Sequence, residues 1–282
     1  MSQISFVNNQ FINRDQAFVS IEDRAFQFAD GVYEVILFKN GKLIDAKPHL
    51  NRLFNGLSKL SINHNFLQDE IIENILQLFK KNEMEEGFVY LQISRGVAKR
   101  EPLLPKDISV NFVMTVDAHK EFTDEDFSRG VKIMSADDIR WHMVDVKTTA
   151  LLASTMAKQK AADKGYDDAL FVRDGVVTEG TFANFFFVDQ DGALVTKKLD
   201  NLVLPGITRA RIIDLAKKQG FKVSERDFSL DEVLKNAKEA FLTSSTLLVR
   251  PVVQIDENLV GDGKVGEVTK VMRKLYLDFI NS

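Results

Sequence analysis

The 282-residue chain contains no cysteine. That absence removes a disulfide framework, a thiolate metal site and a cysteine nucleophile together. Histidine is scarce too: His49, His64, His119 and His142 are the four present, and they show no ligand spacing for a metal. No glycine-rich dinucleotide fingerprint and no phosphate-binding loop ending in Gly-Lys-Ser/Thr occurs, nor any Gly-x-Ser-x-Gly nucleophile turn. Net charge is −4, the sequence pI is about 5.7, and no basic block interleaves with aromatics, so a nucleic-acid partner is not expected. No apolar run approaches the length of a membrane span, and MSQISFVNNQFINRDQ lacks a basic region followed by an apolar core. A soluble, cytoplasmic protein without a membrane partner is therefore expected. No internal repeat is visible.

What is present suits a large folded protein. Hydrophobic residues make up 45% of the chain, enough for one large or two ordinary cores. Residues 4–20 alternate short apolar runs with Asn-rich turns, which suggests small antiparallel strands. Val32 to Phe38 is a strand, and Asn40-Gly41 signals a hairpin into Lys42–Asp45. On that strand Tyr33 and Glu34 interrupt two otherwise apolar faces. Pro48 opens a helix with Leu50, Leu53, Phe54 and Leu57 as its stripe, and Arg52 falls off it. Asp69 to Lys81 is a second amphipathic helix, and strands are expected at 88–94 and 110–116. A small N-terminal α/β domain at 1–117, a linker at 118–125 and a larger α/β domain at 126–282 follow from this pattern.

In the second half, Lys147 precedes Thr148-Thr149, which are plausible caps of a helix running to Gly165. An amine at the positive end of a helix dipole is biased toward its neutral, nucleophilic form. Such an amine can form a Schiff base with a carbonyl, although most lysines are solvated surface charges. Glu179 and Asn184 sit where strands begin or end and can reach a pocket. Leu202 to Ile207 leads into a helix expected to be capped by Thr208. A glycine and hydroxyl at a helix start suit a phosphate, and also suit an ordinary cap. Ser229-Leu230-Asp231-Glu232 reads as a capping box. Thr243 to Thr246 is a run of hydroxyls after a strand, and a final helix reaches Ile280.

Several stretches in one order resemble the class IV (fold type IV) pyridoxal phosphate aminotransferases, most closely the D-amino acid aminotransferases. They are DRAFQFADGVYEV (Asp23 to Val35), HLNRL (His49 to Leu53), Arg95-Gly96, DIRW through DVK (Asp138 to Lys147), AKQKA, VTEGTFANFF, LPGITR, FLTSST and DGKVGEVT (Asp262 to Thr269). The resemblance implies a small α/β domain, a larger pseudo-barrel domain, a homodimer and pyridoxal 5'-phosphate as cofactor. It implies Lys147 as the Schiff-base lysine and proton shuttle, and Glu179 as the partner of the pyridine nitrogen. It assigns Arg52, Ile207, Thr208, Ser244 and Ser245 to the phosphate, Leu204 to the ring face, and Tyr33 and Arg100 to the substrate carboxylate, Arg100 from the partner subunit. His49 is expected to be structural or to support those residues. The implied reaction is transfer of an amino group from a D-amino acid such as D-alanine or D-glutamate to an oxo acid such as 2-oxoglutarate or pyruvate. The same framework would also serve a branched-chain L-amino acid or (R)-amine aminotransferase, or an aminodeoxychorismate lyase-like enzyme. Two departures bear on substrate: Arg100 is followed by Glu101-Pro102 where the family places a histidine two residues on, and Thr181-Phe182-Ala183 replaces a run of serines.

Overall fold

The computed structural model describes residues 3–119 and 123–282. The expected linker at 118–125 includes residues 120–122, which lie outside the described residues. The chain forms two compact units, one of Met1–Lys120 with Val146–Ala150 and one of Glu121–Asp145 with Leu151–Ser282. Among the described residues no helix is long and apolar enough to cross a membrane.

The first unit contains β1 (Ile4–Val7), β2 (Gln10–Asn13), α1 (Arg24–Phe28), β3 (Gly31–Lys39), β4 (Lys42–Leu43), α2 (Ala46–Lys59), α3 (Gln68–Lys81), β5 (Gly87–Ser94) and β6 (Asn111–Asp117). Its antiparallel sheet runs β2-β1-β6-β5-β3-β4. The hairpin signal at Asn40-Gly41 is realised with φ of 53° and 74°, two consecutive left-handed residues that match the twist of the flanking strands. On α2, Leu50, Leu53 and Leu57 are fully buried, and on α3 Ile71, Ile75, Leu78 and Phe79 are. Both stripes pack with Val32, Ile36, Val89, Leu91 and Ile93 of β3 and β5 in one core, and Val146 joins it from the later segment.

The second unit contains α4 (Asp124–Arg129), β7 (Val131–Asp137), α5 (Leu152–Asp163), β8 (Asp168–Arg173), β9 (Val176–Gly180), β10 (Asn184–Val188), β11 (Leu194–Thr196), α6 (Ile207–Lys218), β12 (Val223–Glu225), α7 (Leu230–Asn236), β13 (Glu239–Ser244), β14 (Leu248–Ile255), β15 (Asn258–Leu259) and α8 (Glu267–Asn281). The sheet order is β12-β11-β10-β13-β14-β7-β8-β9, with β15 paired to β14. Parallel pairs (β7 with β8 and β14, β11 with β12) alternate with antiparallel ones, the mixed pattern of an α/β unit. Every residue of β10, Asn-Phe-Phe-Phe-Val, is buried, so both of its faces are covered. The core gathers Phe185, Phe187, Phe228, Leu242 and Ile255.

Three local expectations are corrected. Helix α5 starts at Leu152, not at Thr148; its N-cap is Leu151, without a side-chain cap, although Gly165 at φ 80° ends it as expected. The N-cap position of helix α6 is Gly206, which has no side chain to cap it, and Thr208 lies inside its first turn. The box at Ser229 is only half formed: its hydroxyl accepts from the Glu232 N–H, while the Glu232 carboxylate pairs with Arg226.

Candidate active site

In the first unit Lys147 lies on an extended segment laid along the start of β3. The Tyr33 N–H donates to the Lys147 carbonyl (3.0 Å), the Thr149 N–H to the Gly31 carbonyl (3.1 Å), and Val32 forms a bridge with Thr148. The lysine therefore owes its place to a strand, and the helix-dipole argument does not apply to it. Its Nζ stands 4.2 Å from the centre of the Tyr33 ring, and no carboxylate among the described residues pairs with it. Tyr33 in turn stacks on Tyr90 across the β3–β5 pair, at 5.6 Å between ring centres.

One residue along β3, on its other face, Glu34 is completely buried. Arg52 reaches it from α2 in a fork, Nε to Oε1 at 2.7 Å and Nη2 to Oε2 at 2.8 Å. His49, one turn earlier on α2, places Nδ1 at 2.7 Å from Oε2. Burial alone would raise the Glu34 carboxyl, but Arg52 and His49 outweigh it and hold the group down to about 2. His49 is pushed below its ordinary value, chiefly by burial, with the charges of Arg52 and Lys147 adding to that and the Glu34 hydrogen bond opposing it. An arginine held in a buried bidentate pair is fixed in direction, as recognition of a phosphate oxygen requires.

In the second unit Glu179, on β9, is 4% exposed. Its Oε1 accepts from Nη1 of Arg140 (2.6 Å), and its Oε2 accepts from the Asn184 amide (3.0 Å) and the Leu204 N–H (3.2 Å). Burial is the largest effect and raises the carboxyl above its ordinary value; Arg140 and the Leu204 N–H oppose it, and the charge of Asp138 adds to it. Leu204 thus meets Glu179 through its backbone N–H, and its carbonyl accepts from Asn184 (2.9 Å).

Helix α6 begins beside this group. Gly206 makes no side-chain cap bond, and a Cβ added there would stand 1.9 Å from Asn184 Oδ1. The first-turn N–H groups at Ile207 and Thr208 are therefore those of an uncapped helix start, a fitting place for an anion. The Thr208 hydroxyl lies 3.5 Å from that of Tyr276. Ser244 Oγ is 3.2 Å from Thr246 Oγ1 and accepts from the Leu247 N–H; Ser245 follows in the same turn. The neighbouring Thr243 hydroxyl is buried and has no hydrogen-bond partner among the described residues. The turn closes at Leu248 with φ 56°, a strained conformation for leucine.

The family described as Amino-transferase class IV matches residues 31–255. The chain belongs to that family. D-alanine aminotransferase of Listeria monocytogenes is 37% identical over 276 residues, which cover 97% of this chain and 95% of that protein. Branched-chain amino acid aminotransferase of Escherichia coli matches at a TM-score of 0.91 and 23% identity, over 99% of this chain and 94% of that one. The branched-chain amino acid aminotransferase of the thermophilic archaeon Thermoproteus uzoniensis, solved with norvaline, matches at a TM-score of 0.89 and 22% identity, over 100% of this chain and 96% of that one. At that identity the likeness is one of fold: the α/β architecture of fold type IV, a small N-terminal unit and a larger pseudo-barrel.

Within this class IV aminotransferase the two departures noted in the sequence have physical readings. Thr181 turns its hydroxyl onto Asp168, and Ala183 is buried, so neither offers a polar group outward; Phe182 is exposed instead. Glu101 pairs with Lys99 at 2.9 Å on the surface, and its carbonyl accepts from Arg24. Arg100 is exposed and lies 5.2 Å from the Phe28 ring. Sequence reasoning singles out Glu34 without finding its role, and passes over Asp138 and Arg140 individually. The signal lies in Asp138-Ile139-Arg140-Trp141: the structure hides the charged positions while Ile139 is 71% and Trp141 43% exposed, the reverse of ordinary alternation.

Proposed function

We propose that the chain is a pyridoxal 5'-phosphate-dependent aminotransferase of D-amino acids, with an oxo acid as acceptor. The observation that carries this reading is the end-to-end likeness to D-alanine aminotransferases. The residues fit the cofactor in kind: an amine without a carboxylate partner among the described residues, a buried carboxylate gripped by an arginine, a fixed guanidinium, and an uncapped helix start where a Cβ would intrude.

Pyridoxal phosphate supplies a carbonyl for an amine and a ring that accepts the electron pair left when the α-proton departs. Lys147 Nζ holds the group covalently and then takes and returns the α-proton of the substrate. Glu179 would keep the proton on the ring nitrogen, Leu204 would line the ring, and Arg52, Ile207, Thr208, Ser244 and Ser245 would hold the phosphate. Tyr33 and Arg100 receive the substrate carboxylate. Because Glu101 spends its charge on Lys99, the missing family histidine is not replaced by a repulsive group aimed at that carboxylate.

Arg100 acts from the partner subunit of a homodimer. Exposed apolar side chains on the first unit support that assembly: Phe18, Ile21, Phe26 and Leu103 are between 75% and 81% exposed. Backbone bonds from Ala98 to Glu22 and the Asp23–Val97 bridge bring their segments side by side, next to Arg100.

The test is to add D- and L-alanine, glutamate and leucine separately to the coenzyme-loaded protein and follow its absorption. Conversion to the amine form of the coenzyme by the D-amino acids is expected. Conversion by L-leucine or an (R)-amine alone would replace this reading with that of a branched-chain or amine aminotransferase.

A further inference from the structure

Glu179 does not have Arg140 to itself. The guanidinium gives Nε and Nη2 to Asp138 (2.9 and 2.8 Å) and only Nη1 to Glu179. Asp138 is braced in turn by the Thr178 hydroxyl at 2.9 Å and by Arg173 Nη2 at 3.0 Å. Arg173 also ties down the backbone, donating to the carbonyls of Asp138 (3.1 Å) and Arg140 (2.6 Å), and the Arg140 guanidinium lies 4.4 Å from the Phe171 ring. Residues from β8, β9 and the segment after β7 therefore converge on one guanidinium.

This arrangement exceeds what holding a carboxylate in place requires. A lone buried arginine would lower the proton affinity of Glu179 and make it a poor base toward a ring nitrogen. A second carboxylate bound to the same guanidinium weakens that pull, because the positive charge is shared. We propose that Asp138 is a positioning residue that, through Arg140, fixes the direction of the Glu179 carboxylate and keeps it basic enough to hold a proton on the coenzyme ring. The Asp138 side chain is completely buried and paired with Arg140, so its effect on Glu179 runs through that guanidinium. The inference rests on the reading of Glu179 as the partner of the ring nitrogen. The charged groups acting on Glu179 are Arg140, Asp138 and, at longer range, Arg209.

The experiment uses the holoenzyme loaded with coenzyme carrying 15N at the ring nitrogen, and follows that nitrogen's chemical shift against pH. Glu179→Gln tests the underlying reading: an unchanged signal there removes Glu179 from the ring nitrogen, whatever Asp138 does. With that signal displaced, Asp138→Asn is expected to lower the pH at which the ring proton is lost by roughly one unit, a tenfold loss of proton affinity. Arg140→Gln is expected to move it the other way, because the pull on Glu179 is removed. Loosened packing alone would not give opposite signs. A titration unmoved in Asp138→Asn overturns the proposal; if that variant does not fold, the absence of an upward shift in Arg140→Gln overturns it.

Discussion

At the scale of single residues, three of the side chains proposed for chemistry are set by a neighbour. Lys147 stands over Tyr33, Arg52 is clamped by Glu34, and Glu179 is gripped by Arg140. Lys147→Ala is expected to abolish multiple turnover while still binding coenzyme noncovalently, measured by steady-state assay and by retention of coenzyme on gel filtration. Glu34→Gln removes the buried carboxylate that grips Arg52 and is expected to cost about 3–5 kcal/mol in chemical denaturation. The same cluster gives a pH dependence. Glu34 titrates near 2 in the folded chain against an ordinary 4.5, so its contribution is complete above 4.5 and is lost as pH falls toward 2. His49 is lowered from 6.5, so the unfolded chain takes up that proton first and stability starts to fall below 6.5. Denaturation midpoints should therefore fall from about pH 7 to about pH 3, and the loss below about pH 4.5 should be smaller in Glu34→Gln, in which Asp30 and Asp138, also held low by arginines, still contribute.

At the scale of elements, the start of α6 is the most exacting join. Gly206→Ala is expected to drive Asn184 off Glu179 and the Leu204 carbonyl, to cost about 1–3 kcal/mol, and to weaken coenzyme binding in a titration. Most elements are legible in the sequence because their signals are local: the Asn-Gly and Asp-Gly turns, the Leu50–Leu53–Leu57 stripe, and Gly165 after α5. The starts of α5 and α6 are not, because threonines near a helix start look like caps. Thr149 instead buries a hydroxyl that has no partner among the described residues, and Thr208 faces Tyr276. Lys147 is identifiable through its motif, but its physical setting is not, since the pairing of residues 147–149 with β3 joins positions more than a hundred residues apart. Arg140 is hidden for a similar reason: a charged residue between two exposed apolar ones announces nothing until its partners at 138 and 179 are seen around it.

At the scale of the whole molecule, the proposed dimer and the proposed role of Arg100 tie assembly to substrate choice. Phe26→Asp is expected to shift the protein from dimer toward monomer in sedimentation and to reduce transamination with it, because the apolar surface beside Arg100 would then carry a charge. Arg100→Ala is expected to leave the dimer intact and raise the apparent KM for amino acids by roughly tenfold or more, as loss of a charge-assisted carboxylate contact predicts. Unchanged kinetics would transfer the carboxylate to another cation.

The pairing of residues 146–150 with β3 also sets the terms on which this protein can be recombined. A chimaera that exchanges the first 119 residues with a relative takes away the surface on which the lysine's segment is seated, while leaving the lysine in the other parent's half. The natural crossover unit is therefore discontinuous. Exchanges that carry 146–150 along with the first half should retain coenzyme more often than exchanges at the single boundary. In a lineage assembled by recombination, those five positions should travel with the sequence that precedes residue 120.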